Sequence, residues 1–581
     1  TLVSGRELPM HLGLPTRSVH GLPIIEHAEF GRNVPDEAMP DEDKMNLGKI
    51  YHMGKEEAAG LLLNRQAMAS HTFITGSTGT GKSNAVYHLL DEITKNGQTT
   101  FLVVEPAKGE YKNVFGNCTD VQVFGTNPRE TPLLRMNPFA FPENIHILEH
   151  IDRLVEIFNA CWPMYAAMPA VLKDAIERSY QKVGWDLRNS ESEKGVFPTF
   201  FDLLDILPGV IEESHYSKDT QSDYMGALCT RVKSLTNGIY GSVLCAEDAL
   251  SDAEMFDQNV IVDLSRVGSM ETKSLLMGIL VMKLQEYRMC SSGMNSRLRH
   301  VTVLEEAHNL LRKTSAEQSQ EGANLQGKSV EMLANAIAEM RTYGEGFIIA
   351  DQAPGLLDMS VIRNTNTKII LRLPDEEDRK LVGKSAALKE AQIDELSKLP
   401  LGVAAVYQNE WPEAVLCKIE AYPMPENAVY HKPSKMPHEI NAEFVFGQLA
   451  VGKELEPLSS SEMEQLKLWL KRHETVLKPE DSRYLERVFA GGELDVAKTR
   501  KAVFDFFGGI GTVVDYCAAA KKSLTPRKEF LEQLQGQYGL KAAAADWVLN
   551  SVISMGMSLN PDAKAVDNLR TNFEQQGGRV L

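Results

Sequence analysis

The chain alternates short, wholly apolar runs with longer stretches in which apolar residues recur every three or four positions. HTFITG (71–76), TTFLVVEP (99–106), NVIVDLS (259–265), HVTVLEEAH (300–308), GFIIADQ (346–352) and TKIILRL (367–373) are of the first kind. Their length and unbroken apolar character predict strands of a parallel sheet buried on both faces. NAVYHLLDEITKNG (84–97) is of the second kind, with Val86, Leu89, Leu90 and Ile93 on one helical stripe and a stop at Asn96-Gly97. Further helices are expected over 272–288 and 329–343. Strands alternating with helices predict an α/β fold with a mostly parallel, helix-covered sheet.

Two regions break this rhythm. Between 143 and 250, stretches such as HILEHIDRLVEIFNACW and VLKDAIERSYQKVGW have helical spacing and read as a helical insertion in the α/β core. After about residue 425 the pattern is helical again, with Ser461 and Glu464 at capping-box spacing ahead of Leu466, Trp469 and Leu470, and Thr525-Pro526 forming a cap with proline in the first turn. Residues 1–50, rich in Pro, Gly and acids, read as an extended arm or the remnant of an earlier domain. The polar segment 313–329 reads as a mobile loop. The expected division is therefore 1–50, a core over 51–425, and a C-terminal helical region over 426–581.

Composition narrows the reading. A chain of 581 residues can hold several domains. No apolar run approaches the 18 or so residues that a membrane span needs. The longest, Leu275–Met282, is closed by Lys283 and reads as a buried helix. Seven cysteines without a CxxC pair argue against a zinc site and a disulfide framework, and fit a reducing, cytoplasmic setting. The net charge of −18 gives no general affinity for nucleic acid, so any DNA contact must come from a local basic stripe or a ring channel. The first residue is Thr, not Met, and no signal-like stretch follows, so an upstream part is expected.

The chemistry centres on GSTGTGKS (76–83), which lies between an apolar strand and an amphipathic helix and fits GxxxxGK followed by Ser. Glycines there let backbone N–H groups face phosphates, and the helix N-terminus adds its positive dipole end. The expected ATP-binding residues are Gly76, Ser77, Thr78, Gly79, Thr80, Gly81, Lys82, Ser83 and Asn84, with Lys82 on the β- and γ-phosphates and the Ser83 hydroxyl on Mg²⁺.

Hydrolysis also needs an acid for the metal and a base for water. Asp263 ends one apolar strand; Glu305 and Glu306 end another. An adjacent pair supplies both functions, so Glu305 is assigned to the metal and Glu306 to the attacking water, against the alternative that the pair caps a helix starting at Ala307. His308 has no second histidine at helical spacing and reads as a polar residue of that first turn. Gln352 could bond the γ-phosphate or the lytic water, or form a turn before Pro354-Gly355. Arg341 could ion-pair locally or reach a neighbour's γ-phosphate, a role for which Arg363 and Arg372 compete.

In these motifs the chain resembles the HerA/FtsK superfamily of ring-forming ATPases, and HerA-like proteins above all. The resemblance rests on GSTGTGKS, VVEPAKGEY (103–111), RMNPFAF (135–141), VIVDLS, VLEEAHNLL and MRTYGEGFIIADQAP, covering about 72–373 and more loosely to 425. It implies a RecA-like core, a hexameric ring with ATP between subunits, and translocation on double-stranded DNA with a nuclease or other effector, in end processing or defence against phage. It also implies the Walker B roles for Glu305 and Glu306, a catalytic arginine at Arg341 and a sensor glutamine at Gln352. The chain departs from the family in having Asp351-Gln352-Ala353-Pro354 where relatives carry Ser-Gln-Arg-Pro, and no N-terminal β-barrel is evident in residues 1–50. A secretion-type ATPase of type IV systems and an ATP-controlled oligomeric regulator of a partner enzyme are the alternative readings.

Overall fold

The computed structural model describes residues 18–21, 27–35, 39–165, 167–192, 195–246, 249–313, 322–424, 428–432, 463, 466–467, 478–490, 492–522, 525–538, 542–560, 562–578 and 580. They group into two units, one of residues 1–123, 156–165 and 252–430, the other of 124–155, 166–251 and 431–581.

The first unit is built on a mixed sheet. Its strands are β1 (Lys44–His52), β2 (Lys55–Asn64), β3 (Thr72–Thr75), β4 (Thr100–Glu105), β5 (Val121–Gly125), β8 (Asn259–Asp263), β9 (His300–Glu305), β10 (Glu345–Asp351), β11 (Thr367–Ile370), β12 (Val403–Gln408) and β13 (Val415–Ile419). A separate two-stranded hairpin, β6 (Trp185–Asp186) with β7 (Glu191–Ser192), belongs to the second unit. The sheet order is β2-β1-β13-β12-β11-β3-β10-β9-β4-β8-β5. From β11 through β3, β10, β9 and β4 to β8 each neighbour is parallel, whereas β12, β13, β1 and β2 extend the sheet antiparallel beyond β11. This is an α/β core with a mostly parallel sheet.

Burial explains which residues form which part. Every residue of β3, β8, β9, β10 and β11 is buried, as expected for strands covered on both faces, while β2 alternates with exposed positions at the sheet margin. The helix Lys82–Thr94 presses Val86, Leu89, Leu90 and Ile93 onto the sheet, in one core with Ile74, Val103, Val303 and Ile348. Leu275–Met282 is buried inside the helix Met270–Ser291.

Local differences from the sequence reading have physical causes. Residues 44–50, placed in the N-terminal arm, open β1, where Met45, Leu47 and Ile50 are buried against strand neighbours. The helix expected from 329 begins at Gly322 and runs to Glu339. The Gln, Ser and Gly residues around its start mask the buried stripe of Val330, Leu333 and Ile337 that follows. Residues 314–321 of the expected loop, and the Ser461–Glu464 capping box, lie outside the described residues.

The second unit is helical. Thr199 and Asp202 form a capping box at the start of the helix Phe200–Glu213. Phe139, Phe141, Tyr180, Trp185 and Phe197 pack as an aromatic cluster. Residues 479–575 supply a bundle of helices with its own core of Leu485, Phe506, Tyr516, Ile553 and Phe573. The helix Pro526–Tyr538 starts at the proline, and the Thr525 carbonyl accepts the Glu529 N–H. Among the described residues no single helix is long and apolar enough to cross a membrane; the pair Val496–Phe506 and Ile510–Ala520 passes only jointly, bent by 63°.

Candidate active site

Parallel strands deliver their C-terminal ends to one edge of the sheet, where ligands of open α/β folds bind. The register is tight: Thr75 pairs with Asp351, Ala350 with Glu305, and Glu105 with Asp263. The phosphate loop and the strand-end carboxylates therefore meet on one edge. Because β10 lies between β3 and β9, the residues following β10 stand between the phosphate loop and the glutamate pair.

The loop takes its curl from Gly79 and Gly81, with left-handed φ of 75° and 104°. Its outer side is tied down: the Ser77 N–H donates to the Arg372 carbonyl (3.0 Å), and the Thr80 hydroxyl donates to the Ser77 carbonyl (2.7 Å). A cavity of about 630 Å³ opens here, lined among others by Ser77, Thr78, Gly79, Gly81, Lys82 and Gln352. Asn84 also lines this cavity; its amide donates to the Glu420 carbonyl (3.0 Å) and accepts from the Tyr422 N–H (2.9 Å), which secures the chain after β13.

Lys82 is buried, with Nζ 3.3 Å from Glu306 Oε1 and 4.0 Å from Glu305 Oε2. Gln352 Nε2 donates to the same Glu306 oxygen, while Gln352 Oε1 accepts the Thr78 hydroxyl at 2.7 Å. The side chains of Thr78, Gln352, Glu306 and Lys82 thus form one continuous hydrogen-bonded chain. Glu306 sits in the left-handed region with φ 45° and makes no cap bond to the short helical turn Ala307–Asn309. Its carbonyl accepts the Asn309 amide at 2.7 Å, which helps hold this strained conformation. The Glu306 side chain is therefore committed to the phosphate-loop lysine and not to helix capping.

Glu305 is buried and accepts the Tyr111 hydroxyl at 2.5 Å. Burial raises its pKa, and Lys82 and the Tyr111 hydroxyl offset part of the rise. Asp263, the rival acid, is engaged elsewhere: it is buried, 2.5 Å from Lys112 Nζ, and accepts the Ser265 N–H at 2.9 Å. Glu105 is pushed up to about 7, chiefly by burial against the opposing effect of two backbone N–H donors. His308 donates its backbone N–H to Asp351 (2.8 Å) and pairs with it through Nδ1 (3.0 Å), which lifts the imidazole pKa. Glu306, His308 and Asp351 bring possible ligand atoms within 4.8 Å of one another, but Asp351 and Glu306 are already bonded to the partners above.

The arginines are placed differently. Arg341 is exposed and lies four residues ahead of β10, at the end of the strand opposite Gln352. Arg363 is exposed ahead of β11, and Arg372 is exposed beside the phosphate loop, to which its carbonyl is bonded. The structure thus brings Lys82, Glu305, Glu306 and Gln352 together and leaves Arg341 at the far edge. Sequence reasoning missed Tyr111 as the partner of Glu305 and Asp351 as the partner of His308. Tyr111 was within reach, since it closes the segment VVEPAKGEY; Asp351 gave no separate signal beside Gln352.

The oxygen-rich donor set of Ser83 and Glu305 fits a hard divalent cation such as Mg²⁺. Residues 45–284 match the family described as Helicase HerA, central domain. A probable helicase of Methanocaldococcus jannaschii is 23% identical over 436 residues, 68% of this chain and 76% of its own length. The DNA double-strand break repair helicase HerA of Sulfolobus acidocaldarius is 25% identical over 393 residues, 65% of this chain and 69% of its own. Among solved structures, VirB4 of Thermoanaerobacter pseudethanolicus superposes with a TM-score of 0.49 at 18% identity, covering 66% of this chain and 98% of that one.

Proposed function

We propose that this chain, a HerA-like ATPase of the HerA/FtsK superfamily, hydrolyses ATP at the subunit boundaries of a homo-oligomeric, hexameric ring and uses the energy to move along or unwind double-stranded DNA. The observation that carries this reading is the hydrogen-bonded chain from Thr78 through Gln352 to Glu306 and Lys82. It couples the phosphate loop to a base within a single polypeptide. Arg341 stands at the opposite edge of the same sheet, away from its own phosphate loop, which favours a role at a neighbour's nucleotide.

In this reading Lys82 exchanges its carboxylate partner for the β- and γ-phosphates when nucleotide enters, which frees Glu306. Glu306 then accepts the proton of the attacking water, and Gln352 fixes the orientation of the carboxylate or of the water itself. Mg²⁺, held by Ser83 and Glu305, supplies charge neutralisation to the phosphates when bound. Arg341 of a neighbouring copy stabilises the charge that develops in the transition state. The segments of the chain that resemble HerA proteins support a DNA substrate and a nuclease or other effector partner, in end processing or defence against phage, in the cytoplasm.

The net charge of −18 favours a second reading, an ATP-controlled regulator or secretion-type ATPase without a DNA grip. ATPase rates measured with and without duplex DNA across a salt series separate the two. A motor that holds phosphates is stimulated by DNA and loses that stimulation steeply as salt rises. Absence of stimulation at every salt concentration, with a ring present, would overturn the motor reading.

A further inference from the structure

The loop joining β4 to the short helix Tyr111–Phe115 presents one carboxylate to the phosphate loop. Glu105, the last residue of β4, accepts the backbone N–H groups of Glu110 (2.8 Å) and Tyr111 (3.1 Å), and so satisfies the donors at the start of that helix. With this task taken, Glu110 occupies the N-cap position without making a side-chain cap bond. Its Oε1 instead accepts the Ser83 hydroxyl at 2.8 Å and the Lys108 ammonium at 3.2 Å. Ser83, Lys108 and Glu110 all line the cavity at the phosphate loop.

The position is built in from two sides. Gly109 has a left-handed φ of 68°, and a Cβ there would come within 2.8 Å of Ser265 Oγ and 3.2 Å of Asp263 Oδ2. Only glycine lets the loop pass this close. On the other side the Tyr111 hydroxyl is held by Glu305. One loop therefore delivers a carboxylate to Ser83 and a phenol to Glu305, the two residues assigned above to the metal. Around the site the carboxylates of Glu110, Glu305 and Glu306 face the ammonium groups of Lys82 and Lys108. Polyphosphate adds more negative charge, so it calls for a cation among these oxygens.

We propose that Glu110 is a further oxygen ligand, direct or through water, for the divalent cation that accompanies the nucleotide, completing a set with Ser83 and Glu305. The proposal rests on the phosphate loop binding nucleotide. A serine hydroxyl that donates to Glu110 keeps its lone pairs for the cation. Lys108 neutralises the same carboxylate when the cation is absent.

The test uses the full chain and a fluorescent N-methylanthraniloyl ADP, titrated with Mg²⁺ and, separately, without it. Glu110→Gln keeps the side-chain size and is expected to raise the Mg²⁺ midpoint by about tenfold or more, the usual effect of losing a group that supports a metal. Its metal-free nucleotide affinity should not fall below the wild-type value, because a negative charge is removed from beside the phosphates, and the Glu110→Asp midpoint should fall between those of the wild type and Glu110→Gln. Electron paramagnetic resonance of Mn²⁺ in the nucleotide complex should show the same ranking. A Glu110→Gln midpoint equal to that of the wild type overturns the assignment. If Glu110→Gln disturbs the loop and loses metal-free binding, Glu110→Asp decides: a raised midpoint supports the assignment and an unchanged one overturns it. If the wild type fails to bind the nucleotide, or Lys82→Ala binds it equally well, the phosphate-loop reading itself falls, and this inference with it.

Discussion

Replacing Glu306 by Gln separates binding from chemistry, and the geometry says why. The amide keeps the length and shape of the carboxylate, and its oxygen can still accept from Lys82 and Gln352, the partners of Oε1. The left-handed backbone at φ 45° and the Asn309 bond to the Glu306 carbonyl do not depend on side-chain charge. Lys82 also retains Glu305 at 4.0 Å, so no buried ammonium is stranded. The expected cost to folding is therefore below about 1 kcal/mol. The amide cannot take a proton from water. Loss of a general base slows hydrolysis by about a hundredfold to ten-thousandfold, or about 2.7–5.4 kcal/mol of barrier. Asp263→Asn makes the contrast. It removes the carboxylate 2.5 Å from the buried Lys112 ammonium, and breaking a buried ion pair in this way costs about 3–5 kcal/mol of stability. Single-turnover hydrolysis, nucleotide affinity and thermal unfolding, measured together, read both variants. Glu306→Gln should bind nucleotide, melt normally and fail to hydrolyse; Asp263→Asn should melt early. Normal turnover by Glu306→Gln, or a hydrolysis-dead Asp263→Asn that melts like the wild type, would refute the assignment of base and structural acid.

Three further expectations concern the surroundings. Thr78→Val removes the hydroxyl that orients the Gln352 amide at 2.7 Å and should slow hydrolysis by severalfold, about 1 kcal/mol. Its effect should not add to that of Gln352→Ala, because the two act through one contact, so full additivity in a double-mutant cycle would argue against the relay. Arg341→Ala should abolish turnover while sparing nucleotide binding, and rings mixed with Lys82→Ala subunits should regain partial activity; no recovery in mixed rings would place the arginine's role within its own chain. Glu345→Gln takes the carboxylate away from Arg288 and His300, which lie 2.9 and 2.8 Å from it, while Arg288 keeps Asp257 at 2.7 Å, and should cost about 1–3 kcal/mol. Burial alone would raise the Glu345 pKa, but His300, Arg288 and Thr302 outweigh it and hold the group below its ordinary value of 4.5. Its stabilisation is thus fully present above pH 4.5 and is lost as pH falls through the folded-state value. The gap in melting temperature between wild type and variant should close in acid, and a gap of constant size down to pH 2 or so would contradict the ion-pair account.

The strands that carry the site were readable because burial on both faces demands continuous apolar runs, and the candidate residues stand at or just after the ends of these runs: the phosphate loop after Thr75, Glu306 after Glu305, Gln352 after Asp351. The phosphate loop was readable because its glycines and lysine answer to a fixed geometry. What escaped depends on sheet order, which no local pattern encodes. Nothing in HVTVLEEAH or TTFLVVEP says that β4 and β9 are neighbours, yet that adjacency is what lets Tyr111 reach Glu305. Likewise β10 had to fall between β3 and β9 before Gln352 could bridge Thr78 and Glu306. The start of the helix at Gly322 was hidden for a different reason, since polar and glycine residues form its first turns and the apolar stripe begins only at Val330.

The same sheet order bears on how many chains a working site requires. Arg341 and Gln352 bracket β10, a strand of seven residues that spans about 20 Å at 3.3 Å per residue. Its residues are all buried and are paired on one side with β3 and on the other with β9. Such a strand cannot shorten or swing to bring Arg341 to the phosphate loop of its own chain without breaking both ladders. The buried network of Glu345 with Arg288, His300 and Thr302 fixes the start of β10 immediately after the turn that carries Arg341. The arginine is thus held on a rigid element, facing solvent, at the edge away from its own Lys82. A transition-state role for Arg341 therefore requires a second copy whose phosphate loop faces that edge. On this geometry an isolated chain keeps Glu306, Lys82 and Gln352 in contact beside its phosphate loop but has no Arg341 there. Its turnover should then rise with protein concentration as assembly proceeds, whereas the Arg341→Ala variant should show no such rise.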